Sequence, residues 1–230
     1  LNYISLFSGG GGFSVGFNAI GFKCILANDI DIDAEATHKH NFPDTPFLRK
    51  DIAQLRVAEI LKATNNIKPD VLIGGPPCQG FSVMGDKHGS DPRNHLFKHY
   101  VNLVRALTPK CFVFENVKGL IQLQKGEFFK NLCIDFANCG YNIYYSILDA
   151  SDYGVPQKRE RVIIFGTKVQ KKFIFPLASK KNDTHFSRFE IAGVSFGDKL
   201  IPVMAGPNMV ESEDLIVETA INVKKAGAHF

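Results

Sequence analysis

Apolar residues recur along this chain in two rhythms. Short apolar runs stand at residues 2–7, 22–27, 47–49, 70–73, 111–117, 143–148 and 161–167, and most are followed closely by glycine or an acidic residue. Such runs predict buried strands. Between them apolar residues return at helical spacing: a helix from near Phe13, one over 31–41, one with Leu55, Ile60 and Leu61 on its apolar side, one over 96–107 and one over 127–138. The 96–107 helix turns Leu96, Tyr100, Leu103, Val104 and Leu107 inward and stops at Thr108-Pro109, and the 127–138 helix buries Phe128, Phe129, Leu132, Cys133 and Phe136. Strand and helix therefore alternate, as in an α/β domain. Beyond Lys168 the rhythm weakens, and only Leu215 to Val223 can be placed, as a helix or a strand.

Candidate chemistry gathers where the strands end, which is where ligands bind in open α/β sheets. The first strand runs into Ser8 to Gly12, a turn poor in side chains that lets backbone approach a ligand and opens a helix whose free amides suit an anionic or carboxylate-bearing cofactor. The second ends at Asn28-Asp29; Asp29 can accept hydrogen bonds from ribose hydroxyls, and it can equally cap the 31–41 helix. The third leads to Asp51 and Ile52, where the acid is again a cap or a cofactor ligand. The fourth, at 70–73, opens into GGPPCQGFS: Pro76 and Pro77 stiffen the chain ahead of Cys78, as an exposed and rigidly placed nucleophile requires. Glu115 stands in the CFVFENV strand on the same rim, with apolar flanks that predict partial burial. Alternation through Lys158, Arg159 and Arg161 puts the two arginines on one side, a pair suited to phosphate or to a base carbonyl. Residues 83–95 are polar and aperiodic, as in a lid or a solvated connection.

Composition adds limits. At 230 residues with 45% hydrophobic content the chain can hold one large α/β domain, or one domain and the start of another. Its net charge of +4 permits a polyanionic partner without demanding one. The five cysteines, at 24, 78, 111, 133 and 139, form no CxxC pair and predict reduced thiols, with no metal site, in a cytoplasmic protein. No stretch is long and apolar enough for a membrane-spanning helix.

From Leu6 to Phe165 the chain resembles the cytosine carbon-5 DNA methyltransferases of the bacterial modification type. The resemblance is carried, in the family's order, by LFSGGGGFS, the acid of NDID, the KDI of 50–52, GGPPCQGFS, NHLF, ENVKG and DYGVPQKRERVIIFG. It implies an α/β, Rossmann-like S-adenosylmethionine-dependent methyltransferase fold, with a mostly parallel sheet and a carboxyl-terminal antiparallel hairpin. Residues 1–168 would be the catalytic, cofactor-binding domain, and 169–230 the start of a target-recognition region or an incomplete connection. The implied cofactor residues are Phe7, Ser8, Gly9, Gly11, Asp29, Ile30, Asp51, Ile52, Pro76 and Leu96, with Asp29 on the ribose and Asp51 and Ile52 on the adenine. The implied catalytic residues are Cys78 as nucleophile, Glu115 on nitrogen-3 and the exocyclic amine of the base, and Arg159 and Arg161 in support.

The implied reaction is methyl transfer from S-adenosylmethionine to carbon-5 of a cytosine flipped out of double-stranded DNA, in a restriction-modification system and on the bacterial nucleoid. A transfer-RNA cytosine methyltransferase and a non-catalytic regulatory relative share parts of the pattern; the latter has no use for Cys78, Glu115, Arg159 and Arg161 together. The family's RxLTxRE-like and GNxV-like segments do not follow, so the chain reads as a fragment or as one part of a split enzyme completed by a second polypeptide.

Overall fold

The computed structural model describes residues 1–77, 96–155, 157–170, 173–178, 189–191 and 194–196, the last two stretches by backbone alone. Cys78, the 83–95 loop and the 215–223 segment lie outside the described residues. Two compact units are present, one formed by Leu1–Asp149 with Arg159–Pro176 and one by Ala150–Lys158 with Leu177–Phe230.

The first unit is built on a seven-stranded sheet: β1 (Asn2–Leu6), β2 (Lys23–Asp29), β3 (Phe47–Arg49), β4 (Val71–Gly74), β5 (Cys111–Val117), β6 (Asn142–Asp149) and β7 (Glu160–Thr167). The strand order is β3-β2-β1-β4-β5-β7-β6. The first five strands are parallel; β7 runs antiparallel between β5 and β6 and forms a hairpin with β6. The expected mostly parallel α/β sheet with a terminal antiparallel hairpin is the observed one. After β1 the chain moves outward to β2 and β3, then returns to place β4 on the other side of β1. Such a reversal is where open α/β sheets hold a ligand crevice, here beyond the carboxyl ends of β1 and β4, between the Ser8–Gly12 turn and the Gly75–Pro77 arm.

Helices α1 (Gly12–Ala19), α2 (Ile32–Asn41), α3 (Val57–Ala63), α4 (Leu96–Leu107) and α5 (Glu127–Ala137) cover the sheet. On one side Ile4, Leu6, Leu72, Phe112 and Phe114 pack with Tyr100 and Val104 of α4 and Leu132 and Phe136 of α5. Ring pairs stiffen this layer, with the Phe112 and Phe136 centroids 4.3 Å apart and Tyr100 edge-on to Phe114 at 5.4 Å. The fully buried Tyr100 hydroxyl lies 3.1 Å from Leu72 O and 2.9 Å from Val113 O, so its one proton serves two strands. Burial holds that phenol protonated. On the other side Tyr3, Cys24, Ala27, Val71 and Ile73 pack with Phe13 and Phe17 of α1, and with Phe22 and Phe47.

Local structure departs from the periodic reading at three places. The amphipathic segment with Leu55, Ile60 and Leu61 is not one helix: a 3-10 turn, Ile52–Gln54, precedes α3. Asp51 Oδ1 takes the Ala53 amide at 2.9 Å, and Glu59 Oε2 takes the Arg56 amide at 3.0 Å, so each piece has its own start. At α2 the cap is Asp31, whose carboxylate accepts from Ala34 N at 2.8 Å, and this frees Asp29 for other partners. Between β5 and α5 the segment Lys118–Gly126 forms 3-10 turns broken by left-handed Gln124 and Lys125, which apolar periodicity did not anticipate. The second unit holds a 3-10 turn, Ala150–Tyr153, and a hairpin of β8 (Phe189–Ile191) and β9 (Val194–Phe196).

Gly166 faces Phe112 across the β5–β7 pair, and a Cβ there would run into the Phe112 ring. Gly166→Ala is expected to destabilise the fold by about 1–3 kcal/mol through overpacking. A lower denaturant midpoint at unchanged slope is the expected measurement; an unmoved midpoint would show that the ring can yield freely.

Candidate active site and cofactor cleft

The glycine turn is held from behind. Its backbone takes left-handed conformations at Phe7 (φ 52°), Gly9 (φ 51°) and Gly11 (φ 100°), and at the bulky Phe7 this is a strained geometry that neighbours must hold. They do so through the end of β2. Ser8 N donates to Asn28 O at 3.0 Å, and Gly9 N donates to Asp29 Oδ2 at 2.8 Å. The other Asp29 oxygen accepts from Ile30 N at 2.8 Å and Asp31 N at 3.2 Å. Buried Asn28 points its amide the other way, donating to Leu48 O and Lys50 O at 2.8 Å each. One dipeptide, Asn28-Asp29, thus fixes both the turn after β1 and the exit of β3 that leads to Asp51.

Helix α2 backs the same turn. A Cβ at Gly11 would collide with the Phe42 ring, and one at Gly10 would sit 3.1 Å from the Thr37 methyl. Fully buried His38 completes this backing: its Nε2 lies 3.4 Å from Ser14 Oγ, its ring lies between Phe42 and Phe47, and among the described residues Nδ1 has no partner.

Several features of this rim fit a nucleoside cofactor with a charged tail. Among the described residues nothing lies within 4 Å of where a Cβ at Gly9 would point, which leaves backbone there for a ligand to approach. Ser8 Oγ is buried without a hydrogen-bond partner among the described residues, and no side chain caps the first amides of α1. Ile30, 62% exposed at the end of β2, offers an apolar surface to a ring. Asp51 caps the 3-10 turn, and Ile52 is buried in the core, so that stretch presents backbone and one carboxylate. Pro76 is buried and Leu96, at the start of α4, half-buried.

On the other flank of the crevice Glu115 meets Arg161. In the antiparallel β5–β7 pair Val117 stands opposite Arg161 and Glu115 opposite Ile163, so acid and base lie diagonally on one face. Arg161 Nε is 2.9 Å from Glu115 Oε1, with the side chains 25% and 22% exposed. Arg161 Nη1 also donates to Glu160 O at 2.8 Å. Gly75 passes close beside the acid: a Cβ on it would stand 2.7 Å from Glu115 Oε2. The next residue of β5, Asn116, is buried and donates from Nδ2 to Pro76 O at 2.9 Å. Arg159 is not drawn into this pair; it precedes β7, its side chain is exposed, and its backbone amide donates to Asp149 Oδ1 at 3.0 Å.

A family model for C-5 cytosine-specific DNA methylases matches residues 1–213. The chain belongs to that family. Among curated relatives of this methylase family it is 42% identical to Type II methyltransferase M1.HphI of Haemophilus parahaemolyticus over 76% of its length, 43% to M.AquIA of Picosynechococcus over 75%, and 44% to M.XorII of Xanthomonas oryzae over 72%. It spans 48%, 74% and 40% of those proteins respectively. Among solved structures, a DNA modification methyltransferase encoded within an E. coli prophage matches 73% of the chain with a TM-score of 0.64 at 38% identity, the match covering 47% of that protein. Spodoptera frugiperda DNMT2 matches 76% with a TM-score of 0.60 at 28% identity, over 52% of its own length. The family and its fold imply methylation that depends on S-adenosylmethionine.

Asn28 and Asn116 were not among the residues singled out from sequence. The available signal was an asparagine beside an acid at two strand ends: a polar side chain there is buried only with partners, and loops provide them.

Burial lowers the His38 pKa below its ordinary 6.5. The unfolded chain therefore takes up a proton that the folded chain resists, so stability is expected to be full above pH 6.5 and to fall as pH drops below it. Melting profiles of wild type and His38→Leu should diverge in slope below that pH. Parallel profiles would assign the acid sensitivity to other groups.

Proposed function

We propose that this protein is a DNA (cytosine-5-)-methyltransferase of a restriction-modification system, acting in the bacterial cytoplasm on double-stranded DNA. The observation that carries the reading is the Glu115–Arg161 pair set against Gly75, at the mouth of a crevice whose other wall is the glycine turn. Residues 1–168 serve as the catalytic domain in this reading, and 169–230 begin the part that recognises the target.

S-adenosylmethionine, when bound, supplies an electrophilic methyl group. Phe7, Ser8, Gly9 and Gly11 shape its pocket, Asp29 accepts from the ribose, and Ile30, Asp51, Ile52, Pro76 and Leu96 line the rest. Asp29 has room for that duty: a carboxylate offers about four lone-pair sites, and backbone amides take three. The target base leaves the helix because its reacting ring atoms are hidden within the stack. The Cys78 thiolate adds to carbon-6, and the π pair of the carbon-5–carbon-6 double bond shifts toward carbon-4 and nitrogen-3, leaving an enamine whose carbon-5 is nucleophilic. Glu115 acts at nitrogen-3, where charge develops, while Arg161 holds its carboxyl group in place. The methyl group passes to carbon-5 and S-adenosylhomocysteine is left; the carbon-5 proton then goes to solvent water, its bonding pair re-forms the carbon-5–carbon-6 double bond, and the carbon–sulfur pair leaves on sulfur, returning the thiolate.

The purified enzyme with cofactor and DNA bearing 5-fluorocytosine is expected to form a stable covalent complex, because fluorine cannot leave as a proton does. Cys78→Ser should abolish it, and trapping that survives this change would remove the nucleophile assignment. Asp29→Ala should weaken S-adenosylmethionine binding by about 1–3 kcal/mol, through loss of a charge-assisted acceptor. Calorimetry showing equal affinity would reduce Asp29 to a support for the turn.

A further inference from the structure

A second concavity lies at the amino end of β2, away from the crevice. Its volume is about 340 Å³, and its lining includes Phe22 and Lys23 at the start of β2 and Asn41, Phe42, Pro43 and Asp44 from the end of α2 and the connection that follows. Lys23 and Asp29 are the two ends of β2, roughly 20 Å apart along the strand, so the cavity is separate from the rim where Asp29 stands. Small-ligand sites span roughly 300–1,000 Å³, and this one is at the lower end of that range.

The lining combines two opposite charges with apolar surface. Lys23 and Asp44 both border the cavity, yet neither is ion-paired with the other or with any of the described residues. An ammonium and a carboxylate that share a cavity without meeting are complemented by a ligand that carries both signs. Asn41 uses its Nδ2 on Gly10 O at 3.3 Å, which leaves its Oδ1 to accept from a ligand ammonium. The carboxyl end of α2, at Asn41, favours a cation there as well. Phe22, Phe42 and Pro43 supply apolar contact. Two of these wall residues also hold the glycine turn: Asn41 donates to Gly10 O, and the Phe42 ring fills the place of a Cβ on Gly11.

We propose that this cavity is a second small-molecule site, for a free α-amino acid with an apolar side chain, and that its occupant steadies the glycine turn through Asn41 and Phe42. The ligand ammonium meets Asp44 and Asn41 Oδ1, its carboxylate meets Lys23, and its side chain lies against Phe22, Phe42 and Pro43. A ligand against Phe42 removes the space into which the ring can withdraw from Gly11, so the cavity and the turn are coupled with positive sign. By linkage, amino acid and cofactor then tighten one another by the same factor. The coupling, but not the site, rests on S-adenosylmethionine lying along the Ser8–Gly12 turn.

The test is calorimetry of the purified protein without DNA, with L-leucine and L-phenylalanine as probes. Isocaproate, which is leucine without its ammonium, and isoamylamine, which is leucine without its carboxylate, are the controls, and backbone NMR shifts locate the bound probe. The expected result is binding of at least one of the two amino acids at millimolar concentration, with shifts centred on residues 22–24 and 41–45. The controls should bind about 10-fold more weakly or worse, through loss of a charge-assisted contact. Lys23→Gln and Asp44→Asn, both at exposed positions, should each weaken amino-acid binding about 10-fold at unchanged melting temperature and unchanged cofactor affinity. Saturating amino acid should tighten S-adenosylmethionine binding about fivefold or more. The site is overturned if neither amino acid binds at millimolar concentration, if the controls bind equally well, or if Lys23→Gln and Asp44→Asn change nothing. Displacement of the amino acid by S-adenosylmethionine would overturn it too, because the probe would then be in the cofactor crevice. Binding with no change in cofactor affinity would overturn the coupling. A wild type that takes up no S-adenosylmethionine would remove the functional reading, while the amino-acid titration would still decide the site.

Discussion

A turn almost without side chains cannot hold itself in place, and the 2.8 Å hydrogen bond from the Gly9 amide to Asp29 is the interaction on which this end of the sheet depends. Ser8 to Gly12 has little to pack and much backbone freedom to lose. Its left-handed residues persist because β2 presents a carbonyl and a carboxylate from two consecutive positions. The carboxylate is an especially good acceptor here, since a charged oxygen makes shorter and stronger bonds to backbone amides than a neutral one. The same dipeptide holds the β3 exit, so the two loops that would enclose a nucleoside share one support.

The opposite wall uses the same device with different chemistry. Glu115 and Asn116, at the end of β5, reach the Gly75–Pro77 arm from opposite faces of the sheet. Glycine at 75 leaves space for the carboxylate, and the two prolines make the asparagine necessary. Arg161 reaches Glu115 only because β7 is antiparallel and inserted between β5 and β6. A parallel strand at that position would bring its carboxyl end, not its Arg161 end, to the rim. The antiparallel insertion is therefore what completes the acid's surroundings.

Beneath both walls lies a stiff platform. Aromatic rings from β5, α4 and α5 interlock under β4 and β5, and the Tyr100 hydroxyl spans the carbonyls of the two strands. Gly74 lies against this layer, where a Cβ would stand 2.8 Å from the Tyr100 ring. Close packing of this kind resists small displacements.

Much of this was legible in residue order. Apolar runs placed the seven strands of the large sheet within one or two residues, though not β8 and β9; helical spacing placed α4 and α5, and the family motifs marked Asp29, Asp51 and Glu115 because acids at strand ends are local features. Where the reading fell short, the cause was non-local. The segment from Asp51 to Ala63 has apolar residues compatible with one helix, and only the capping bonds of Asp51 and Glu59 divide it. Asp29 can cap the following helix on paper; the cap is Asp31, which directly precedes the helix, while Asp29 ends β2 and gives an oxygen to Gly9, twenty residues earlier. Alternation paired Arg159 with Arg161, yet β7 begins between them and only Arg161 finds the acid. Residue order by itself thus determined the elements of the large sheet and the family, because periodicity, turn chemistry and motif spacing act over a few residues. Which carboxylate meets which amide, and which guanidinium meets Glu115, was decided only when the strand reversal at β1 and β4 and the antiparallel β7 brought distant segments within hydrogen-bond range.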